Sequence, residues 1–447
     1  MKRLFTNSFF VYIWGILVLL AAVSVIIRGF SWLYPAVPVL LMVGIFAAGR
    51  GIIIGDCRRV MYLMLPFGIW ATLTSFWSFY SVVSLTRGLY YLFLVTGLTA
   101  LVYHLKKHGI TVFELLLPVN VLIIFASLFS LLSEIPSDGW TAGNAKGFMG
   151  LFSHQNSLGA ILLFTFPGWL YLHLLIEDKK ASEDSGKFSF LFRYTYPRSF
   201  KYFFAAGFVL NILLLTLTHS RASILFLFVM LSLYLFLLYR KNVKRLAIGS
   251  ALLILMFFSV SAVNPVLVKN SLLGNSEKAA TNIQEEQVPP KLWGKTWYSF
   301  WYKGDDTPYS TRQHIFADSW KAAQIGGLFG IGYGISHPNI KNNAAGSRFD
   351  ESGRYIREKG NSFLAMVEEV GGVGLGLFLL PVFFFFRFFF YNSGELFSYP
   401  KLSIFLLLIL FTHAQFEAWM TGVHSPLLFV YICLSASFQT QSYLLLE

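Results

Sequence analysis

The sequence predicts an all-α polytopic membrane protein with about twelve transmembrane helices and one large outer loop subdomain between spans nine and ten. Only 13% of the 447 residues are charged, whereas a soluble chain has about 25%. The mean hydropathy is +0.61, and apolar runs long enough to cross about 30 Å of hydrocarbon recur along the chain. The runs are continuous and do not alternate, which favours helices over a barrel. These features exclude a soluble enzyme, a nucleic-acid binder and a disordered protein.

A sliding window of about 19 residues locates the predicted spans. They lie at residues 9–27, 31–49, 60–79, 85–104, 110–132, 157–176, 202–219, 222–239, 246–265, 362–385, 401–416 and 425–440. The chain therefore divides into residues 1–265, with transmembrane helices one to nine, residues 266–361, an extracytoplasmic loop subdomain, and residues 362–447, with helices ten to twelve.

The distribution of Lys and Arg predicts the orientation of these spans. With the N-terminus inside, more than half of the 35 basic residues fall on inside segments, and short inside connections such as residues 239–245 are strongly basic. This agrees with the positive-inside rule. Both termini are therefore expected in the cytoplasm and the large loop outside, so most of the net charge of +13 reflects topology and not a nucleic-acid partner.

One helix is predicted inside the large loop. Ser310-Thr-Arg-Gln313 has the form of a capping box, which predicts a helix start there. Gly326-Gly-Leu-Phe-Gly-Ile-Gly-Tyr-Gly334 is expected to end that helix.

Ionisable residues within or beside the spans indicate a functional site, because such groups are costly in a membrane. Arg87 lies near the outer end of span four, and Arg221 lies in the connection between spans seven and eight, next to His219 and Ser220. The plain alternative for each is an arginine that extends from a helix end to the interface.

Two adjacent carboxylates, Glu368 and Glu369, lie about two turns into span ten. At least one is expected to pair with an arginine inside the bundle, and a structural ion pair is the plain alternative to a catalytic role. His413, Glu417 and His424 form a further polar group around the outer ends of spans eleven and twelve. No nucleotide-binding or metal-binding motif is present, so no metal or cofactor is expected.

All these groups converge on the predicted outer face. Arginine binds phosphate and pyrophosphate bidentately. The residues alone therefore suggest an outward-facing anion site near the lipid, which a lipid-linked phosphate would fit and an anion transporter would fit too.

Five short segments in chain order resemble the bacterial O-antigen ligase and polymerase superfamily, the membrane glycosyltransferases that use undecaprenyl-pyrophosphate-linked glycans. They are Leu73-Thr-Ser-Phe-Trp-Ser78 with Ser84-Leu-Thr-Arg-Gly-Leu89, Gly147-Phe-Met-Gly-Leu-Phe-Ser-His-Gln-Asn-Ser-Leu-Gly159, Leu215-Thr-Leu-Thr-His-Ser-Arg-Ala-Ser223, Ser310 through Trp320 to Gly334, and Asn361-Ser-Phe-Leu364 with Glu369 and Gly371. The number of predicted spans and the place of the large loop are also similar to that family.

The resemblance implies roles for individual residues. The hairpin arginine and the large-loop arginine of the family hold the donor pyrophosphate, and here these are Arg221 and Arg312. Arg87 is a third implied phosphate contact. The matching segments add three polar residues to the substrate-binding set, namely Asn156, Asn361 and Ser220.

The chain departs from the ligases of the family at one position. The ligases have a histidine directly before the asparagine that starts span ten, and this sequence has Gly360 there. That histidine is the usual candidate for activating the acceptor hydroxyl, so its absence favours a polymerase. The replacement bases considered are Glu369, Glu368, His337 and His154. For His337 the plain alternative is a solvated loop residue.

The resemblance thus implies a metal-independent membrane glycosyltransferase of the bacterial cytoplasmic membrane that polymerises lipid-linked repeat units into a surface polysaccharide. A ligase that transfers the glycan to a lipid or protein is the alternative within the family. An exporter or flippase is the alternative from another class, and the clustering of charge at one face argues against it. The implied partners are the undecaprenyl-pyrophosphate-linked glycan, membrane lipid, and a chain-length regulator and a flippase of the same pathway.

Overall fold

The structure is a computed structural model, and it describes most of the chain in separate ranges. These are residues 6–48, 58–133, 147–181, 199–218, 220–239, 242–262, 308–337, 348–349, 355–356, 359–391, 399–415, 417–420 and 422–441. The predicted loop subdomain of residues 266–361 is therefore described only in part.

Within these ranges the chain is almost entirely helical. In chain order the helices are α1 (Ser8–Val23), α2 (Ala36–Ala48), α3 (Arg58–Leu73), α4 (Ser81–Lys107), α5 (Val112–Ser133), α6 (Gln155–Thr165), α7 (Pro167–Ala181), α8 (Ser199–Thr218), α9 (Arg221–Tyr239), α10 (Val243–Ala262), α11 (Pro308–Gly326), α12 (Ser362–Tyr391), α13 (Tyr399–His413) and α14 (Pro426–Gln441). Two short strands, β1 (Arg348–Phe349) and β2 (Tyr355–Ile356), form an antiparallel pair.

The predicted all-α membrane class is confirmed in its coarse form. Six helical stretches of the described chain are long and apolar enough to cross a membrane: Ser8–Ile26, Ser31–Ala48, Ser81–Lys107, Val112–Ser133, Gln155–Leu174 and Ser362–Phe384. Four shorter apolar helices, Met61–Phe76, Tyr202–Thr218, Arg221–Phe236 and Pro426–Ala436, coincide with further predicted spans. The total of twelve spans stays a prediction.

The sixth predicted span is two helices and not one. α6 ends at Thr165 and α7 begins at Pro167, because proline has no N–H to continue the ladder and its ring favours a helix start. A buried side-chain network spans the break: the Asn120 amide donates to Thr165 Oγ1 at 2.6 Å, and the Trp169 indole donates to Asn120 Oδ1 at 2.8 Å.

The helix predicted inside the large loop is present, but its predicted start was wrong. α11 begins at Pro308, two residues before Ser310, and proline suits the first turn because the N–H it lacks would be unsatisfied there. The predicted end is confirmed, since α11 ends at Gly326 and Gly327 has a φ of 53°.

Packing divides the chain into two compact units. One unit comprises Met1–Val121, Phe164–Phe204 and Thr311–Glu447, and the other comprises Leu122–Leu163 and Ala205–Ser310. This grouping follows packing, whereas the predicted division at residues 265 and 361 follows the side of the membrane. That division therefore stays a prediction.

Helix α4 is central to the first unit, where it packs against α2, α3 and α14. Glycines permit the close approach: a Cβ on Gly88 would overlap the backbone of Thr72 in α3, and one on Gly97 would overlap Leu41 in α2. Small residues at helix contacts are typical of membrane bundles, where dispersion contacts and not water exclusion drive association. In the second unit α9 packs against α10.

Candidate functional site

A break in α12 at Gly371 builds the central feature of the first unit. Gly371 has φ 73° and ψ 178°, a backbone conformation that is almost restricted to glycine. In a regular helix the N–H groups of residues 372 and 373 would donate to the carbonyls of residues 368 and 369. Here they donate to the carbonyls of Gly327 and Leu328, at 2.9 and 3.2 Å.

The freed carbonyls are satisfied by the same stretch of chain, residues 327–337, which we call the glycine segment. The Ile331 N–H donates to the Glu368 carbonyl and the Gly332 N–H donates to the Glu369 carbonyl, both at 2.9 Å. The glycine segment therefore gives a new partner to all four backbone groups, two N–H and two carbonyl, whose two helix bonds are lost at the break, as buried polar groups require. A Cβ on Gly330 would overlap the Glu369 carbonyl, so this approach requires glycine there.

The two adjacent carboxylates, Glu368 and Glu369, hold the glycine segment through hydrogen bonds to its backbone. Glu369 Oε2 accepts the Gly334 N–H at 2.6 Å, and Glu368 Oε1 accepts the His337 N–H at 3.0 Å. The residues themselves are 2% and 0% exposed. Both predicted base candidates thus lie under the segment with their oxygens hydrogen-bonded to its backbone.

The counter-charge to these carboxylates is Lys359. Its ammonium donates to Glu369 Oε1 at 2.5 Å and to the Ile335 carbonyl at 3.0 Å, and it lies 3.3 Å from Glu368 Oε2. In the described part of the chain the hydrogen-bonded cation is Lys359, and the charge of Arg87 also acts on Glu369. The expected pairing with an arginine stays a prediction. The sequence analysis missed Lys359 because it precedes the span in a polar loop; the available signal was that two buried carboxylates need a cation nearby.

Arg87 lies directly above this network. It is half-buried in the second turn of α4, and its guanidinium contacts Gly334, where a Cβ would overlap Nη1. It is close enough to Glu369 for the two charges to interact. Among the residues that the structure describes, no hydrogen bond or ion pair to the Arg87 guanidinium is found. Arg87, the predicted phosphate contact, is therefore a cation whose guanidinium makes no hydrogen bond or ion pair to the described residues.

The segment around Leu73–Ser78 and Ser84 holds the other side of the glycine segment. The Trp77 indole donates to the Gly330 carbonyl at 3.0 Å, and the Tyr333 N–H donates to Thr74 Oγ1 at 3.0 Å. A Cβ on Gly332 would overlap the hydroxyl oxygen of Ser78, which accepts from Ser84 at 2.8 Å. The structure thus brings the first, fourth and fifth resembling segments together.

The glycine segment also carries two ring side chains, those of Tyr333 and His337. Tyr333 is fully buried, and burial together with the charge of Glu369 raises the pKa of its hydroxyl well above the usual range. That hydroxyl has no hydrogen-bond partner in the described ranges. The half-buried His337 stands edge-on to Phe79, with ring centroids 5.8 Å apart.

His424 lies near Arg87 on the same side of this unit. Its ring stands edge-on to Tyr34, with centroids 4.8 Å apart, and 5.6 Å from the ring of Tyr90. The two tyrosine hydroxyls are 2.8 Å apart. His424 is exposed at the surface, but desolvation by these neighbouring rings and, less strongly, the charge of Arg87 lower its pKa.

Asn361, a predicted substrate contact, caps α12. Its Oδ1 accepts the N–H groups of Phe363 and Leu364 at 2.9 and 3.0 Å, as an N-cap does. Its amide donates to the backbone and side-chain oxygens of Gln415 at 3.2 and 2.9 Å. With 2% exposure, Asn361 fixes the start of α12 against the segment after α13.

In the second unit the resembling segments Gly147–Gly159 and Leu215–Ser223 lie against each other. The Phe148 N–H donates to the Leu217 carbonyl at 2.8 Å. Cβ atoms on Gly147 and Gly159 would overlap the Thr218 carbonyl and the Ser220 side chain. The close contact between these segments therefore depends on two glycines.

The remaining predicted residues lie at helix starts. Exposed His154 precedes α6, and its Nδ1 accepts the Asn156 N–H at 3.0 Å. Ser220 is buried before α9, with its hydroxyl 2.9 Å from that of Ser223, and the half-buried Arg221 is the first residue of α9. Arg312 lies in α11, but its side chain is outside the described part, as is the whole of His219.

The described residues contain no group of three or more His, Cys, Asp or Glu side chains that could hold a metal ion. The carboxylates of Glu368 and Glu369 already interact with Lys359 and with backbone N–H groups of the glycine segment. The expectation of a reaction without a metal or cofactor stays an expectation.

Comparison with known proteins supports the resemblance over part of the chain. Residues 206–379 match the family model described as O-antigen ligase. That range holds the hairpin around Arg221, the large loop and the break at Gly371. No curated protein and no solved structure matches the chain. Over residues 206–379 the chain resembles the O-antigen ligase and polymerase superfamily, and the match supports a membrane-embedded protein with that type of function.

Proposed function

We propose that this protein is a polymerase that joins undecaprenyl-pyrophosphate-linked oligosaccharide repeat units into a surface polysaccharide at the outer face of the bacterial cytoplasmic membrane. A hydroxyl of one glycan attacks the anomeric carbon of another. The new glycosidic bond forms as the bond to pyrophosphate breaks, the hydroxyl proton passes to a base, and the lipid pyrophosphate leaves. The activated donor supplies the energy.

The observation that carries this proposal is the state of Arg87. Its guanidinium is held against Gly334, with no hydrogen bond or ion pair among the described residues, above carboxylates whose oxygens are occupied. A preorganised cation near a water-poor boundary stabilises negative charge that develops on a leaving group. An anionic lipid-linked donor supplies that charge.

Two further arginines are proposed as contacts to donor phosphates. Arg221 begins α9 directly after Ser220, so the partial positive charge of the helix N-terminus adds to its own. Arg312 is proposed from the resemblance and from its place in α11.

Among the four base candidates, we place the role on His337. Glu368 and Glu369 have their oxygens committed to backbone N–H groups and to Lys359. His154 Nδ1 accepts the Asn156 N–H, so its neutral ring carries the proton on Nε2 and has no lone pair left to accept another. The His337 backbone N–H donates to Glu368 Oε1, which fixes the place of its half-buried ring beside Phe79 on the glycine segment.

The proposal also retains the predicted topology. It places residues 266–361 outside the membrane between helices one to nine and ten to twelve, with both termini in the cytoplasm. A flippase would deliver the lipid-linked units to that face, and a chain-length regulator would act on the growing polymer.

Deletion of the gene tests the reaction class through the gel pattern of surface glycan. Loss of a polymerase leaves a single repeat unit on the acceptor. Long polymer that accumulates on the lipid carrier indicates a ligase instead, and repeat units trapped on the cytoplasmic side indicate an exporter.

Arginine variants expressed in the deletion strain test the site. Arg221→Ala and Arg312→Ala are expected to abolish polymer while the protein stays in the membrane fraction. The matched controls are Arg245→Ala in α10 and Lys321→Ala in α11, two exposed residues that should keep full activity. Full complementation by both test variants would show that the proposed donor contacts are wrong.

A further inference from the structure

We infer that Lys359 is a positioning residue that keeps Arg87 available to the substrate by occupying Glu369, the carboxylate that would otherwise neutralise Arg87. This inference rests on the proposed function. It concerns a residue that touches neither the proposed donor nor the proposed acceptor and that acts through Arg87 alone.

The geometry around Gly334 is the first step. The Gly334 N–H donates to Glu369 Oε2 at 2.6 Å, and the α-carbon of the same residue faces Arg87 so closely that a Cβ would overlap Nη1. One glycine therefore contacts both a buried carboxylate and a guanidinium. Arginine and carboxylate form bidentate pairs readily, and their charges already interact here.

Lys359 prevents that pairing. Its ammonium donates to Glu369 Oε1 at 2.5 Å, its side chain is only 9% exposed, and it also donates to the Ile335 carbonyl at 3.0 Å. Lys359 is bonded to one oxygen of Glu369 and the Gly334 N–H to the other, and Arg87 is bonded to neither. The carboxylate holds the glycine segment in place while Lys359 balances its charge.

Removal of Lys359 leaves Glu369 buried and without its lysine. A buried charge in a low dielectric is costly unless it is paired. Arg87, which contacts the same glycine, is a second cation whose charge acts on Glu369. We therefore expect Arg87 to pair with Glu369 in Lys359→Met and to be lost to the donor.

The test is a rescue by a second substitution, scored as polymer per molecule of membrane-inserted protein in the deletion strain. Lys359→Met is expected to lower polymer by roughly tenfold or more, on the scale of a displaced binding group. Lys359→Met with Glu369→Gln is expected to recover most of that loss, because a neutral amide accepts the Gly334 N–H but does not neutralise Arg87. Lys359→Arg should keep most activity, since it restores the charge.

The matched control is Lys359→Met with Glu368→Gln. It removes the same charge from the neighbouring carboxylate, whose Oε1 accepts from His337 and not from Gly334. It should not rescue. A purely structural role for Lys359 predicts no rescue by either double variant, because each removes more of the network than Lys359→Met alone.

Three results would overturn the inference: a Lys359→Met protein as active as wild type, a Glu369→Gln double variant that inserts normally but is no more active than Lys359→Met, and equal rescue by Glu368→Gln. If Lys359→Met fails to accumulate while the Glu369→Gln double variant accumulates and stays inactive, the inference is likewise overturned. Failure of the proposed function is distinct, because the deletion strain would then not show the single repeat unit that marks a lost polymerase.

Discussion

Glu369 and Gly334 lie 35 residues apart in sequence and share a hydrogen bond of 2.6 Å from the Gly334 N–H to Glu369 Oε2. This bond ties the glycine segment to the broken helix α12. It also sets the face of Gly334 that Arg87 contacts. Glu369, a candidate base from the sequence, therefore holds the backbone against which the Arg87 guanidinium lies.

Gly334→Ala tests the contact with Arg87. The new Cβ would overlap the guanidinium, and the φ of +77° strains any L side chain. We expect polymer to fall roughly tenfold to a hundredfold, as for a binding group displaced by about 1 Å. The control is Gly376→Ala in α12, where a Cβ meets nothing within 4 Å. Equal activity of the two variants would contradict the proposed role of this contact.

Gly371→Ala tests the break in α12. Its φ of 73° and the overlap of a Cβ with the Leu328 carbonyl predict a loss of about 1–3 kcal/mol in the free energy of unfolding. Thermal unfolding in detergent measures it. Gly372→Ala is the neighbouring control, because its Cβ would meet Leu328 Cδ2 at an ordinary 3.7 Å. A lower Tm for the control than for Gly371→Ala would rule out this account of the break.

Asn361→Ala separates capping from substrate binding. Loss of an N-cap costs about 1 kcal/mol, and loss of the two bonds to Gln415 adds to that cost. Asn242→Ala removes only a cap, since Asn242 Oδ1 accepts the Arg245 N–H at 3.1 Å before α10. We expect a larger fall in Tm for Asn361→Ala. If its Tm is unchanged while polymer disappears, Asn361 contacts substrate.

His424 predicts a fall in stability in mild acid. Its pKa in the folded state is lowered below the ordinary 6.5, first by burial and then by Arg87. The unfolded chain therefore binds more protons in this range, and stability is full above about pH 6.5 and falls as the pH drops below it. His424→Phe should flatten the dependence of Tm on pH between about 7.5 and 5.5, and Arg87→Gln should reduce it. An unchanged slope in His424→Phe would assign the acid sensitivity to another group.

Sequence reasoning located the helices well and the polar contacts poorly. Apolar runs reflect burial in lipid directly, so each predicted span overlaps helical chain in the described ranges, although the sixth overlaps two helices and the count of twelve stays a prediction. The breaks depended on single residues: Pro167 divides the sixth predicted span, and Gly371 opens α12. The first break could have been predicted from the sequence, because Pro167 is visible there. The second break became recognisable only through the four backbone bonds that the glycine segment supplies.

The sequence by itself determined the class of the protein, the places of its helices and the segments that resemble the O-antigen ligase and polymerase superfamily. Hydrophobic burial and short motifs are local properties, so one chain suffices to show them. Only the tertiary structure decided that Lys359 balances Glu369 and that Asn361 caps α12. It also decided that Arg87 lies against Gly334, with no hydrogen bond or ion pair to the residues that the structure describes. A buried charge pairs with a group that is close in space, and here residues from two helices and two loop segments meet only after folding.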